Sequence, residues 1–275
     1  MSAIDQGTVL VTGASSGIGM EIAKLVAPRA KTLILVARRT ERLEALKKEL
    51  SASSTDVRIE VIGCDLSKRE DTERLVRDIE KLGLEIDVLV NNAGVGLMGV
   101  VDQADVARTV AMIDLNVTSL TMLTMAFIGG MVKRGHGGIL NISSGFGMAV
   151  MPSFAAYIAT KHFVTGYTEG LIADLAGTGV VVTQICPGPV ATEFEQNVGN
   201  FTGAKVPGFI EISAAHCAKV AVKSFDRRCA LVVPGLVMKL VMQINQWSPR
   251  FLRRLFATII GRIARKKELA ARAGS

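Results

Sequence analysis

Short β-branched and aliphatic runs recur along this chain, each separated from the next by a longer stretch with the spacing of a helix. Thr8–Thr12, Leu33–Ala37, Val57–Ile62, Val88–Val90, Gly138–Ile142, Val180–Ile185 and Leu231–Val233 are predicted as strands. The intervening Ile18–Pro28, Thr40–Leu50, Lys68–Leu82, Ala104–Lys133, Ser153–Ala176 and Ser213–Phe225 are predicted as helices. A strand that returns through a helix re-enters its sheet in the same direction, so the pairing is expected to be parallel. The expected class is α/β: a single doubly wound domain with a parallel sheet of about seven strands and helices on both faces. A chain of 275 residues that is 49% hydrophobic is long enough to build that core. Residues 1–235 are read as this body, and 236–275 as a basic, amphipathic helical extension.

The first strand runs into Thr12-Gly-Ala-Ser-Ser-Gly-Ile-Gly19, which opens the first helix. A dinucleotide pyrophosphate is expected at such a helix N-terminus. Gly13 allows the tight turn, Gly17 the close approach of backbone to phosphate, and Gly19 the packing of helix on sheet. A glycine-rich turn can also be purely structural, and its strand–turn–helix setting is what favours the binding reading. The second strand ends Val36-Ala37-Arg38-Arg39, with no acid to bond the ribose hydroxyls of NAD. An Arg there pairs with the 2′-phosphate of NADP, and Arg38 is assigned that role. Arg39 is read as the start of a solvated helix face with Glu41 and Arg42.

Farther on, Asn141-Ile-Ser-Ser144 is followed by Tyr157-Ile-Ala-Thr-Lys161. On a helix, the i, i+4 spacing puts the Tyr157 phenol and the Lys161 ammonium on one face. An ammonium favours the phenolate, at ~1.4 kcal/mol per unit of pKa depression, which makes Tyr157 a candidate general acid or base. The plain alternative is an ordinary surface Tyr/Lys pair.

Taken with Asn91-Asn-Ala-Gly94, and with Asn116 and Ser144 lying 41 and 13 residues before the Tyr, these motifs resemble the short-chain dehydrogenase/reductase family. The resemblance runs from about Thr8 to about Pro234 and implies a Rossmann-type domain. It implies cofactor contacts from Gly13, Ser15, Ser16, Gly17, Ile18 and Gly19, from Asp65 and Leu66 at the adenine, and from Asn92, Ala93 and Gly94 at the ribose. Pro187, Gly188, Val190 and Thr192 are expected at the nicotinamide, and Tyr157 and Lys161 also touch the cofactor. The catalytic set it implies is Asn116, Ser144, Tyr157 and Lys161. Ser144 orients the substrate oxygen, Lys161 lowers the Tyr157 pKa and fixes the ribose, and Asn116 holds a helix distortion and a water that links Lys161 to solvent. For Asn116 the alternative is a buried, satisfied amide. Asn91 and Ser143 are read as structural. The implied activity is an NADP(H)-dependent interconversion of a carbonyl and a secondary alcohol by a homo-oligomer. Its rivals are a non-catalytic NADP(H)-binding sensor or scaffold and a membrane-associated interaction protein.

Residues 193–212 show no clear period and read as a substrate loop. Phe194, Phe201 and Phe209, with Met148, Met151 and Phe154, point to a pocket for a lipophilic substrate or else to core packing. The four cysteines and three histidines have no metal-ligand spacing, so no metal is expected. No nucleic-acid partner is expected either. Nothing in Met1–Asp5 resembles a leader, and a cytoplasmic location is the expectation. Leu115–Val132 is apolar but carries Asn116 and several hydroxyls, and reads as a buried helix.

Charge is placed unevenly. Residues 1–235 carry 23 basic and 24 acidic side chains, whereas 236–275 carry nine basic and one acidic, giving −1 and +8. After apolar Leu236–Ile244, Ser248-Pro249 reads as an N-cap with Pro at the first helical position. Beyond it Leu252, Leu255, Phe256, Ile259, Ile260 and Ile263 form one face, and Arg250, Arg253, Arg254, Arg262 and Arg265 the other. Such a helix, preceded by Trp247, either lies on an anionic membrane or packs on its own body or a second subunit.

Overall fold

At the centre of the sheet is β1 (Thr8–Thr12), every residue of which is buried. The structure is a computed structural model that describes residues 2–54, 56–194, 198–199, 208 and 210–273. Around β1 stand β2 (Thr32–Ala37), β3 (Arg58–Gly63), β4 (Val88–Asn91), β5 (Gly137–Ile142), β6 (Val180–Ile185) and β9 (Leu231–Val232), in the order β3-β2-β1-β4-β5-β6-β9. Every pairing is parallel. A second, two-stranded parallel pair, β7 (Val190–Ala191) with β8 (Ile212–Ser213), joins the ends of the substrate loop and was not foreseen in the sequence. Of that loop, 195–197, 200–207 and 209, including Phe201 and Phe209, lie outside the described residues.

Strand pleat divides the core. Val9 and Val11 join one apolar cluster with Ile22 and Val26 of α1 (Gly17–Val26), Leu43 of α2 (Thr40–Ser53) and Phe225 of α7 (Ala214–Asp226). Leu10 points the other way, into a cluster with Leu75 and Ile79 of α3 (Arg69–Lys81) and Leu123 and Met131 of α5 (Ser119–Arg134). Sandwiched between helices, the central strands are continuously apolar rather than alternating.

The helix predicted over Ala104–Lys133 is three pieces: α4 (Val106–Ile113), a π-helical turn at Asp114–Thr118, and α5. The whole 106–134 stretch is long and apolar enough to cross a membrane by composition. In the structure one face of it is packed on the body, with Leu120, Leu123 and Met131 buried and Asn116 tied into a polar network, while Val106, Val110 and Met125 on the other side are exposed. Opposite it runs α6 (Ala155–Asp174), which carries Tyr157 and Lys161.

The extension forms α8 (Leu236–Trp247) and α9 (Arg250–Ala273). Its N-cap falls one residue later than predicted. Arg253 N–H donates to the Pro249 carbonyl, and the Ser248 hydroxyl instead turns back to the Ile244 carbonyl at 2.7 Å. Both helices lie on the body. Met242 of α8 is buried over Gly145, and α9 is held by Arg265, whose guanidinium donates twice to Asp102 at 2.6 and 3.0 Å, and by Glu268, which accepts from Val100 N–H at 2.7 Å.

Candidate active site

The strand order reverses between β1 and β4, so the loops leaving the carboxyl ends of β1, β4, β5 and β6 surround a crevice. The glycine-rich turn lines it. Gly17 has φ +56°, a left-handed conformation that favours glycine. At Gly19 a Cβ would collide with the Gly13 carbonyl and the Asn92 amide. Asn92 braces the turn directly, since Nδ2 donates to the Thr12 carbonyl at 2.9 Å and to that of Gly13 at 3.3 Å. Thr12 Oγ1 reciprocates by accepting from Asn92 N and Ala93 N. Its neighbour Asn91 ties β4 to β5, donating to Asn141 Oδ1 at 3.0 Å.

At the end of β2 the two arginines part. Arg38 is exposed, whereas Arg39 folds back over the turn and donates to Ser16 Oγ at 3.0 Å and Ser15 Oγ at 3.3 Å. The reason is phase: Ala37 ends the strand buried, Arg38 points outward, and Arg39, as the residue preceding α2, is turned toward the crevice. The second branch of its guanidinium donates to Glu193 Oε2 at 2.8 Å, and Arg42 holds the other carboxylate oxygen at 2.6 Å. Arg42 first and Arg39 second keep the Glu193 carboxyl below its ordinary pKa. Asp65, after β3, spends Oδ1 on Ser67 N–H and O–H at the entrance to α3, and Leu66 is buried in the core.

The predicted catalytic residues converge. Asn116 sits in the π-helical turn, where the extra residue directs its side chain into the protein. Its Oδ1 accepts from Val95 N–H at 3.0 Å, while Nδ2 donates to the Val95 carbonyl at 2.9 Å and to Thr160 Oγ1 at 3.1 Å. Thr160 in turn donates to the Tyr157 carbonyl at 2.6 Å. Lys161 Nζ donates to the Ile142 carbonyl at 3.2 Å and lies 5.9 Å from the centroid of the Tyr157 ring. Ser144 Oγ accepts from Phe146 N–H at 3.2 Å, and its hydroxyl is the neighbour that favours the ionised form of the Tyr157 phenol. Ser143 faces inward, its hydroxyl donating to the Lys161 carbonyl at 3.3 Å.

Electrostatics correct one expectation. Burial pushes the Tyr157 phenol up to about 12, opposed only by the neighbouring Ser144 hydroxyl, and pushes the Lys161 amine down to about 8, opposed by Cys186. Lys161 is not what governs the phenol here, because both groups are desolvated and desolvation disfavours both charged forms. Together they hold a neutral phenol over an ammonium that gives up its proton readily.

Around the Tyr157 ring stand other aromatic rings. Phe194, Phe154 and Phe146 have centroids 5.6, 6.1 and 6.2 Å from that of Tyr157. Pro187 accepts Gly145 N–H at 2.7 Å, linking the two loops that carry Ser144 and Gly188. Val190 lies in β7 and Thr192 beyond it, with the Thr192 methyl 3.1 Å from where a Cβ on Gly17 would stand. Sequence reasoning missed Phe146, Thr160 and Glu193. Thr160 had a signal in its place between Tyr157 and Lys161; Glu193 had none beyond following Thr192.

The donor set suits a phosphorylated dinucleotide: an Arg39 guanidinium with two serine hydroxyls at the turn, and a glycine-lined floor at Gly94, where a Cβ would sit 3.2 Å from Asn116 Oδ1 and 3.5 Å from Lys161 Nζ. Fold and site thus define a Rossmann-type oxidoreductase centred on a tyrosine and a lysine.

Residues 7–202 match the family described as short chain dehydrogenase. D-beta-hydroxybutyrate dehydrogenase of Cupriavidus necator is 33% identical over 189 residues, covering 69% of this chain and 72% of its own. Farnesol dehydrogenase of Aedes aegypti is 40% identical over 193 residues, covering 67% and 77%. Among solved structures, a short-chain dehydrogenase from Sphingobium yanoikuyae in complex with NADPH superposes with a TM-score of 0.76 at 32% identity, covering 88% of this chain and 98% of that one. The chain belongs to the short-chain dehydrogenase family, whose matched region ends before α8 begins.

Proposed function

We propose that this oxidoreductase uses NADP(H) to interconvert a carbonyl and a secondary alcohol on a lipophilic substrate. The observation that carries the reading is the buried Tyr157, with Ser144 as the neighbour that acts on its phenol and Lys161 one helical turn away, beside the braced glycine-rich turn. In the reducing direction Tyr157 donates its proton to the carbonyl oxygen, and the Ser144 hydroxyl orients that oxygen. The bound nicotinamide supplies the hydride to the carbonyl carbon, or accepts it in the reverse reaction. Lys161, its amine shifted down to about 8, returns a proton to the phenolate. Asn116 holds the Val95 segment and, through Thr160, the first turns of α6, so that the two meet in a fixed geometry.

Support for NADP comes from Arg39 with Ser15 and Ser16, from the absence of an acid after β2, and from the NADPH-bound relative. Support for a lipophilic substrate comes from the three phenylalanines around the Tyr157 ring and from the similarity to a farnesol dehydrogenase. The test is turnover of a panel of short and long ketones and alcohols with each cofactor. Preference for NADH, or for short hydrophilic substrates, sinks the corresponding half of the proposal.

A further inference from the structure

Helix α9 docks the wrong way round for a core helix. Its inward stripe is Arg253, Ala257, Gly261, Ala264 and Glu268, which are buried or half-buried. Small residues let it lie close, with a Cβ on Gly261 only 3.4 Å from Pro152. The large apolar side chains that read as a packing face point outward instead. Phe251, Phe256 and Ile263 are 69%, 62% and 55% exposed, and on α8 Leu236, Ile244 and Trp247 are 86%, 59% and 88% exposed. Both helices are fixed on their other sides, α8 by Met238 against Gly188 and Met242 against Gly145. The apolar faces therefore cannot turn inward without undoing that docking. Monomers rarely show so much contiguous apolar surface without a partner for it.

We propose that the outer face of α8 and α9 is a docking surface for an anionic lipid bilayer. Charge chooses this occupant. The sole acid of the extension, Glu268, is buried, so its outward surface presents cations alone. Arg265 is paired with Asp102, but Arg254, Arg262, Lys266 and Lys267 are exposed and enter no ion pair among the described residues. At 100° per residue, Arg254 and Arg262 border the apolar arc, and Lys266 and Lys267 close its C-terminal end. That is the pattern of a helix lying in a membrane interface, with apolar side chains below the head groups and cations at them. Trp247, at the junction of the two helices, is the residue type that favours such a boundary. A second copy of the chain fits worse, because a symmetric contact would press two faces of like charge together.

The same contacts set the bilayer beside the catalytic crevice. Gly145, next to Ser144, and Gly188 lie under α8, and Val100 and Pro152 lie under α9. A lipophilic substrate would then reach Tyr157 from the membrane; this consequence rests on the proposed function, whereas the docking itself does not.

Trp247 is the only tryptophan, so its emission reports the contact directly in the full-length protein. Vesicles of phosphatidylcholine and phosphatidylglycerol in equal parts are compared with vesicles of phosphatidylcholine alone, at low and high salt. The expected result is a blue shift and co-sedimentation with the anionic vesicles at low salt, both lost at high salt. Phe256→Ser with Ile263→Ser should abolish both without altering the circular dichroism, since neither side chain is buried, and Arg254→Gln should weaken binding about fivefold. Unchanged emission with anionic vesicles, equal binding to both lipids, or a shift that follows protein concentration together with a doubling of mass would each overturn the proposal.

Discussion

Glu193 and Arg39 meet at 2.8 Å across the mouth of the glycine-rich turn, where the guanidinium also reaches Ser15 and Ser16. A carboxylate thus occupies one branch of the group best placed to read a 2′-phosphate. Charge-assisted bonds of this type contribute about 1.5–3 kcal/mol, roughly ten- to a hundredfold in affinity. Arg39→Ala should lower the kcat/KM ratio for NADPH over NADH by that order, and Arg38→Ala should lower it less. Glu193→Gln should reduce the KM for NADPH, because the competing anion is gone. An unchanged ratio in Arg39→Ala would place the phosphate elsewhere.

Removing only the proton donor separates binding from chemistry. Tyr157→Phe keeps the ring among Phe146, Phe154 and Phe194. Turnover should fall by about 10²- to 10⁴-fold, with NADPH affinity by fluorescence retained. Activity near wild type would remove Tyr157 from the mechanism.

Lys161 is costly to bury, which makes a stability prediction with a definite sign. Its pKa falls from 10.5 to about 8 on folding, so below pH 8 the amine is charged in both states and the fold carries the whole desolvation cost. Between pH 8 and 10.5 the folded state releases its proton first, and the cost fades. Lys161→Met should therefore be more stable than wild type by up to about 3 kcal/mol at neutral pH. That advantage should shrink as the pH rises toward 10.5, while activity is lost. Urea denaturation across this range is the measurement, and a Met variant less stable at pH 7 would show that the Ile142 contact outweighs the buried charge.

Tyr157, Lys161, Ser144 and Asn116 were legible because each depends on spacing along the chain, which folding preserves. The pleat of β1 and the position of the glycine-rich turn were legible for the same reason. What spacing leaves open is phase and partner choice. Whether Arg38 or Arg39 faces the crevice depends on where β2 stops and α2 starts, a shift of one residue that no composition encodes. The helix break at Asp114–Thr118 has no Pro or Gly to mark it, because a π-turn inserts one residue without either; only the resemblance, through the distortion it implies at Asn116, points to it. In α9 the apolar arc is the stronger pattern, yet Ala257, Gly261 and Ala264 form the inward stripe because they allow the closer approach.

Phe194 is expected to control access to the hydroxyl. Its ring lies 5.6 Å from that of Tyr157 at 49°, and a Cβ on Gly96 would stand 2.6 Å from its Cζ, so the ring is held on both sides. Tyr157 is only 4% exposed, so if Phe194 is the gate a substrate carbonyl should reach the phenol only when that ring moves. Glu193, the residue before it, is anchored by Arg39 and Arg42, which ties the ring's position to the turn. Phe194→Ala should open the site, and two readouts should change in opposite senses. Small ketones should be reduced faster, because access no longer waits on ring movement. Long ketones should show a raised KM, because an apolar contact worth about 1.5–3 kcal/mol when fully buried has been removed. Solvent reaching the phenol should also relieve the desolvation that raises its pKa and move the alkaline limb of the pH–rate profile to lower pH. If KM for long and short ketones changes by the same factor and the alkaline limb stays put, Phe194 is a packing residue and the gate lies elsewhere.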